Sequence, residues 1–177
     1  MVYTLADAFG NTTKLSVWID GKEQDIPHPD TTGTELFHWG SENRFGAKGI
    51  RLTIPQGNLY NDLYFRYTVK ENEQALAAIH ILHNNPVPIH KSAQLSIRLQ
   101  QDSLENKQLY GIVRVQNGRY SWIGGKYRNG WIDADIKELG SYTIVQDTIP
   151  PVITPINPAT WVNKKAFVFR LSDNLSG

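Results

Sequence analysis

The 177-residue chain carries 18 basic and 17 acidic side chains, a net charge of +1, so no electrostatic surplus points to nucleic acid or an anionic membrane. Aromatic residues at 11% and a mean hydropathy of −0.40 describe a folded, β-rich protein rather than a disordered one. Zero cysteines exclude disulfides and thiolate metal sites, and no apolar run reaches the length of a membrane-spanning helix.

Met1-Val2-Tyr3 opens directly into strand-like sequence with no leader peptide, and Leu175-Ser176-Gly177 closes the chain inside a β pattern; the expectation is an excised piece of a longer protein. Residues 1–22 read as a hairpin, VYTLAD and TTKLSVWID around AFGN, with Leu15, Val17 and Ile19 on one face. Two strands alone are marginal in water, so this hairpin is expected to belong to a preceding β domain or to dock on the next. Gly21 to Asp30, with its prolines at 27 and 29, reads as a linker.

A central sandwich is expected over residues 31–146. Ile50, Leu52 and Ile54 alternate before the turn Pro55-Gln56-Gly57. Leu63, Phe65, Tyr67 and Val69 alternate as one strand, and Glu71 to Gln74 is a polar break. Leu76 to Leu82 reads as a strand leading into a long turn at Asn84-Asn85-Pro86-Val87-Pro88, and Leu95, Ile97 and Leu99 alternate again. The densest signal runs from Tyr110 to Val145, where Asn117-Gly118 and Asn129-Gly130 separate segments rich in aromatic and β-branched residues. Both central positions of a tight hairpin turn need positive φ, which Gly reaches freely and Asn tolerates, so a β-meander is predicted. Its third strand alternates Ile132, Ala134 and Ile136 with Asp133, Asp135 and Lys137, one face buried and one wet. Asp147-Thr148-Ile149-Pro150-Pro151 then forms a stiff exit, and residues 152–177 read as the start of a further β domain, with Phe167, Phe169 and Leu171 alternating against Val168 and Arg170.

Candidate sites are few. His80, His83 and His90 cluster in sequence, but His80 and His83 point to opposite faces of a strand and lack the HExxH arrangement, so exposed or strand-edge histidines are expected rather than a metal site. Asp133 and Asp135 share a solvated strand face instead of flanking a cleft, and Ser172-Asp173-Asn174 reads as a turn. No nucleophile elbow or phosphate loop occurs, so no catalytic residue and no cofactor are assigned. Tyr120, Trp122, Tyr127 and Trp131 form the one candidate ligand-binding set. Exposed on a rigid sheet they would stack on sugars or hold a peptide; buried, they would fill the core. The second hairpin is expected to bring Trp131 beside Tyr120 and Trp122.

Four stretches, YTLADAFGNTTKLSVWI, RFGAKGIRLTIPQGNLYND, YSWIGGKYRNGWIDADIKELGSYTIVQDTIPPVI and FRLSDNLSG, carry a resemblance. The chain resembles the non-catalytic β-sandwich region that follows the peptidase domain in some bacterial lysostaphin-like (LytM-type) peptidoglycan metallopeptidases, and GIRLTIPQGNLYND also resembles the opening of ZU5-type sandwiches. The family's zinc motifs, H-x-x-x-D and H-x-H, do not occur here. The resemblance implies an all-β, antiparallel sandwich (Ig-like or ZU5-like) with partial β units at both ends. It implies an accessory, non-enzymatic piece whose partners are its own upstream peptidase domain and peptidoglycan or another envelope glycan, located in the bacterial cell envelope.

Overall fold

A computed structural model describes residues 1–22, 30–71 and 75–175. Most of the expected linker, His28 within it, the core of the polar break, and the final Ser176-Gly177 lie outside the described residues. The chain divides into two compact units, Met1–Asp30 and Thr31–Gly177.

The first unit is a hairpin of β1 (Val2–Ala6) and β2 (Thr12–Ser16). Asp7 shapes the turn, its carboxylate accepting from the backbone N–H groups of Phe9 and Asn11 at 2.9 Å each. The second strand stops at Ser16 instead of running on to Asp20. Val17 exchanges the last ladder bonds of this hairpin with Met1.

The second unit is an antiparallel β-sandwich. Its early strands are β3 (Glu35–Phe37), β4 (Asn43–Ala47), β5 (Ile50–Ile54), β6 (Leu63–Phe65), β7 (Tyr67–Lys70) and β8 (Ile79–Leu82). The long β9 (Val87–Arg98) follows, then β10 (Tyr110–Gln116), β11 (Arg119–Gly124), β12 (Lys126–Arg128), β13 (Trp131–Leu139) and β14 (Ser141–Gln146). Sheet I has the order β12-β13-β9-β5-β4, and sheet II the order β11-β10-β14-β8-β7. A short pair, β3-β6, closes one end. A last hairpin, β15 (Val152–Pro155) with β16 (Phe169–Ser172), follows the sandwich.

Period-two alternation places the core between the sheets. Sheet I contributes Ile50, Leu52, Ile54, Leu95, Ile97 and Ile132; sheet II answers with Leu82, Tyr110, Ile112, Tyr142 and Ile144. Phe37 and Phe65 stack at 4.4 Å between β3 and β6, and Phe45 meets Phe65 edge-on at 5.1 Å. Both buried tyrosines on sheet II keep a hydrogen-bond partner, as a buried phenol must. The Tyr110 hydroxyl accepts from the Ser103 and Leu104 N–H groups, and the Tyr142 hydroxyl donates to the Glu138 carbonyl at 2.7 Å.

Several sequence expectations change here. The stretch Leu63–Lys70 is two strands, because the chain leaves β3 at Phe65 and joins β8 from Tyr67. Residues 75–78 are irregular; the Leu76 and Ala77 carbonyls accept from the Gln100 N–H and the Thr143 hydroxyl, so no ladder is needed. The long turn expected through Pro88 ends sooner, since β9 already begins at Val87. Proline is tolerated there because β5 pairs only with Gln94 to Ile97, leaving that side of Pro88 free, and a bulge opposite relaxes the register with β13.

The largest revision concerns the meander. Its turns are as expected, with positive φ at Asn117 (51°), Gly118 (75°), Asn129 (50°) and Gly130 (82°). Its middle strand, however, breaks at Gly124-Gly125. β11 stays on β10 in sheet II, while β12 crosses to β13 in sheet I. Gly125 sits at φ 142°, and a Cβ there would lie 2.5 Å from Ile132 Cγ2. Only glycine makes that passage without displacing the core.

Candidate functional site

The sheet change at Gly125 separates the aromatic set. Tyr120 and Trp122 lie on the outer face of sheet II, Trp122 opposite Val113 and Tyr120 opposite Val115. Trp122 lies flat over Gly111, where a Cβ would stand 2.1 Å from indole Cη2, so the missing side chain forms the seat of the ring. Tyr120 is 52% exposed. Tyr127 and Trp131 belong to sheet I and therefore do not stand beside the other two, contrary to expectation.

Each sheet I aromatic already has a partner. The Tyr127 hydroxyl donates to Asp102 at 2.7 Å, and Lys107 binds the same carboxylate at 2.5 Å while lying 5.4 Å from the Tyr127 ring centroid. These bonds hold Asp102 below the ordinary carboxylate range, the Lys107 bond most strongly, and accepting the Tyr127 proton keeps that phenol above its own. Trp131 sits between Arg98 and Arg128 in register, with the Arg51 guanidinium 4.2 Å from its ring centroid. A cation over an indole face occupies the surface a sugar would stack on.

The histidines disperse. His38 approaches Asp62 at 3.3 Å, and His90 approaches the Tyr60 hydroxyl at 3.4 Å. His83 follows β8 at φ 70° with its Nδ1 buried and unpartnered. Exposed placement, expected for His80, His83 and His90, holds for His90 but fails for His80, which is 2% exposed on the inner face of sheet II. Its Nδ1 is 2.8 Å from the Tyr67 hydroxyl, and burial pushes its pKa down, with Glu71 opposing. Among the described residues, no three His, Cys, Asp or Glu side chains group as metal ligands. Asp133 faces outward 3.6 Å from Arg128 Nε, and Asp135 is exposed beside it, a solvated strand face. Asp173 accepts from the Asn174 N–H within its turn.

The sequence reading missed a cleft of about 590 Å³ where the ends of the two sheets part. Sheet I supplies Lys48 and Gly49 from the β4–β5 turn with Arg98 and Gln100 at the end of β9; sheet II supplies Glu71 and His80. The available signal was a histidine inside the apolar run Ile79-His80-Ile81-Leu82. Burying a polar ring among such neighbours requires partners.

A family model for the Zu5-like domain matches residues 34–147. No curated protein and no solved structure gives a match. No helix among the described residues is long and apolar enough to cross a membrane.

Proposed function

The chain belongs to the Zu5-like domain family, a β-rich family that is not an obvious catalytic fold, and from that premise we propose a non-catalytic, structural and positioning role. In this reading the sandwich is an accessory module of a bacterial cell-envelope peptidoglycan metallopeptidase whose catalytic domain lies upstream. The peptidase and envelope parts of the reading rest on the sequence stretches quoted above. The observation that most favours positioning over ligand capture is the engagement of the aromatic set: Trp131 lies under Arg51, Tyr127 is bonded to Asp102, and Trp122 is seated on Gly111. The stiff Asp147–Pro151 connector fits a spacer that holds domains in a fixed relative direction.

The test uses the full reading frame. It is expected to contain H-x-x-x-D and H-x-H upstream, and its product is expected to clear intact sacculi. Deleting residues 31–146 is expected to slow clearance of intact sacculi several-fold while sparing a soluble peptidoglycan fragment. Equal loss on both substrates, or a frame without those motifs, removes the positioning role. A second reading, a glycan- or peptide-binding module, draws on Tyr120, which stands exposed on the same outer face as Trp122. Sacculus pelling down the protein in a Tyr120-dependent way would favour it.

A further inference from the structure

The cleft between the sheet ends supports a ligand site that the positioning role does not require. A histidine that merely fills a core is enclosed on every side. His80 is buried and engaged through Nδ1 with Tyr67, yet its opposite edge faces Gly49, where an added Cβ would stand 3.7 Å from Cε1 and 3.8 Å from Nε2. Gly49 is held at φ 78° by the β4–β5 turn, and its missing side chain leaves room beside the imidazole. The Nε2 edge thus borders a space of about 590 Å³, within the usual range for small-molecule sites.

The walls of that space differ in charge. On the sheet I side stand Lys48 and Arg98, both exposed; on the sheet II side stands Glu71. The two sides meet through a long bond, Gln100 Nε2 to Glu71 Oε2 at 3.5 Å, which a better donor can displace. Leu99 and Ala78 make the apolar part of the lining. A purely anionic ligand would face Glu71, and a purely cationic one would face Lys48 and Arg98. A molecule with both charges satisfies both walls.

We propose that this cleft binds a small zwitterion of one or two amino-acid units, its carboxylate towards Lys48 and Arg98, its ammonium towards Glu71, and its middle against His80 Nε2. The neutral imidazole suits this task. With the Tyr67 hydroxyl donating to Nδ1, Nε2 carries the proton and donates to a ligand carbonyl; with the tautomer reversed, Tyr67 accepts and Nε2 receives a ligand N–H.

Glycylglycine is the probe, titrated into the ¹⁵N-labelled protein while the imidazole nitrogens of His80 and the amides of Gly49 and Gln100 are followed by NMR. Saturable shifts confined to these groups are expected. Acetate alone and ethylammonium alone are expected to bind about tenfold more weakly, as is glycylglycine to Lys48→Glu or Glu71→Gln, the loss of one charge-assisted bond. Both substitutions fall on exposed side chains, and unchanged circular dichroism verifies the fold. Absence of saturable shifts overturns the proposal. So does acetate matching glycylglycine, which would make the cleft a plain anion site, and so does indifference to both substitutions.

Discussion

The sandwich and the hairpin β15–β16 are written in the same sequence pattern and end differently. In β5, alternation leaves Ile50, Leu52 and Ile54 almost fully buried against the facing sheet. In β16 the same alternation leaves Phe169 at 50% and Leu171 at 71% exposure. β1–β2 repeats the case, with Leu5 at 77%. Trp161 gathers Phe167 and Phe169 at 5.1 Å each, but this local cluster is not a second layer. Alternation specifies a strand with one apolar face; burial requires another sheet to receive that face.

The sharpest test of this contrast is a matched pair of truncations. Leu95→Ala, at a fully buried position, is expected to cost about 2–5 kcal/mol in a denaturant melt, while Leu171→Ala should stay within about 0.5 kcal/mol. Equal losses would mean that the hairpin has a hidden layer of its own.

Glycines give the next effect. Around Gly118 and Gly130 an added Cβ meets nothing within 4 Å, so Gly118→Val and Gly130→Val are penalised by positive φ alone, roughly 1–3 kcal/mol. Gly125→Val adds a collision with Ile132 and belongs at or above the top of that range. Gly10→Val, at φ 84° in the first hairpin, is expected to leave the melting of the sandwich unchanged. A sandwich melt that responds to Gly10→Val breaks the separation of the two regions.

The most graded difference is with pH. All five histidines fall outside residues 1–22 and 152–175, and burial depresses His80 and His83 below the ordinary 6.5. The unfolded chain therefore takes up these protons first. Stability of the sandwich is full above pH 6.5 and declines as pH falls from there towards the folded values. Carboxylates held low, such as Asp62 and Asp102, add their loss only below the ordinary 3.8. Melting temperature between pH 7.5 and 5 should fall, with a smaller slope in His80→Gln; a flat profile for the parent protein would contradict the burial of these rings.

Much of the strand pattern was legible because local chemistry sets it. Asn117-Gly118 and Asn129-Gly130 announce their turns, and Ile132, Ala134 and Ile136 announce their inward face. Sheet membership was not legible, because it depends on partners distant in the chain. β9 pairs with β5 and β13 through contacts that no neighbouring residue encodes. The doubled glycine at 124–125 was visible, yet reading it as a sheet change required knowing that a second sheet lay across the core. The same long-range gap split the aromatic set and concealed the cleft, whose residues come from four separate segments around positions 48, 71, 80 and 98–100.

One topological detail bears on how the fold would respond to a pull. The chain leaves the sandwich through β14, which lies inside sheet II between β10 and β8 rather than at its edge. Its ladder with β10 runs from Val115↔Ser141 to Tyr110↔Gln146, and β8 holds Ser141 and Tyr142 from the other side. A pull along the strand from Asp147 stretches these hydrogen bonds together instead of peeling them one at a time. An edge strand under a sideways pull would unzip. A pull directed along β14 is therefore expected to load the sandwich as a shear joint, directly before the Asp147–Pro151 connector.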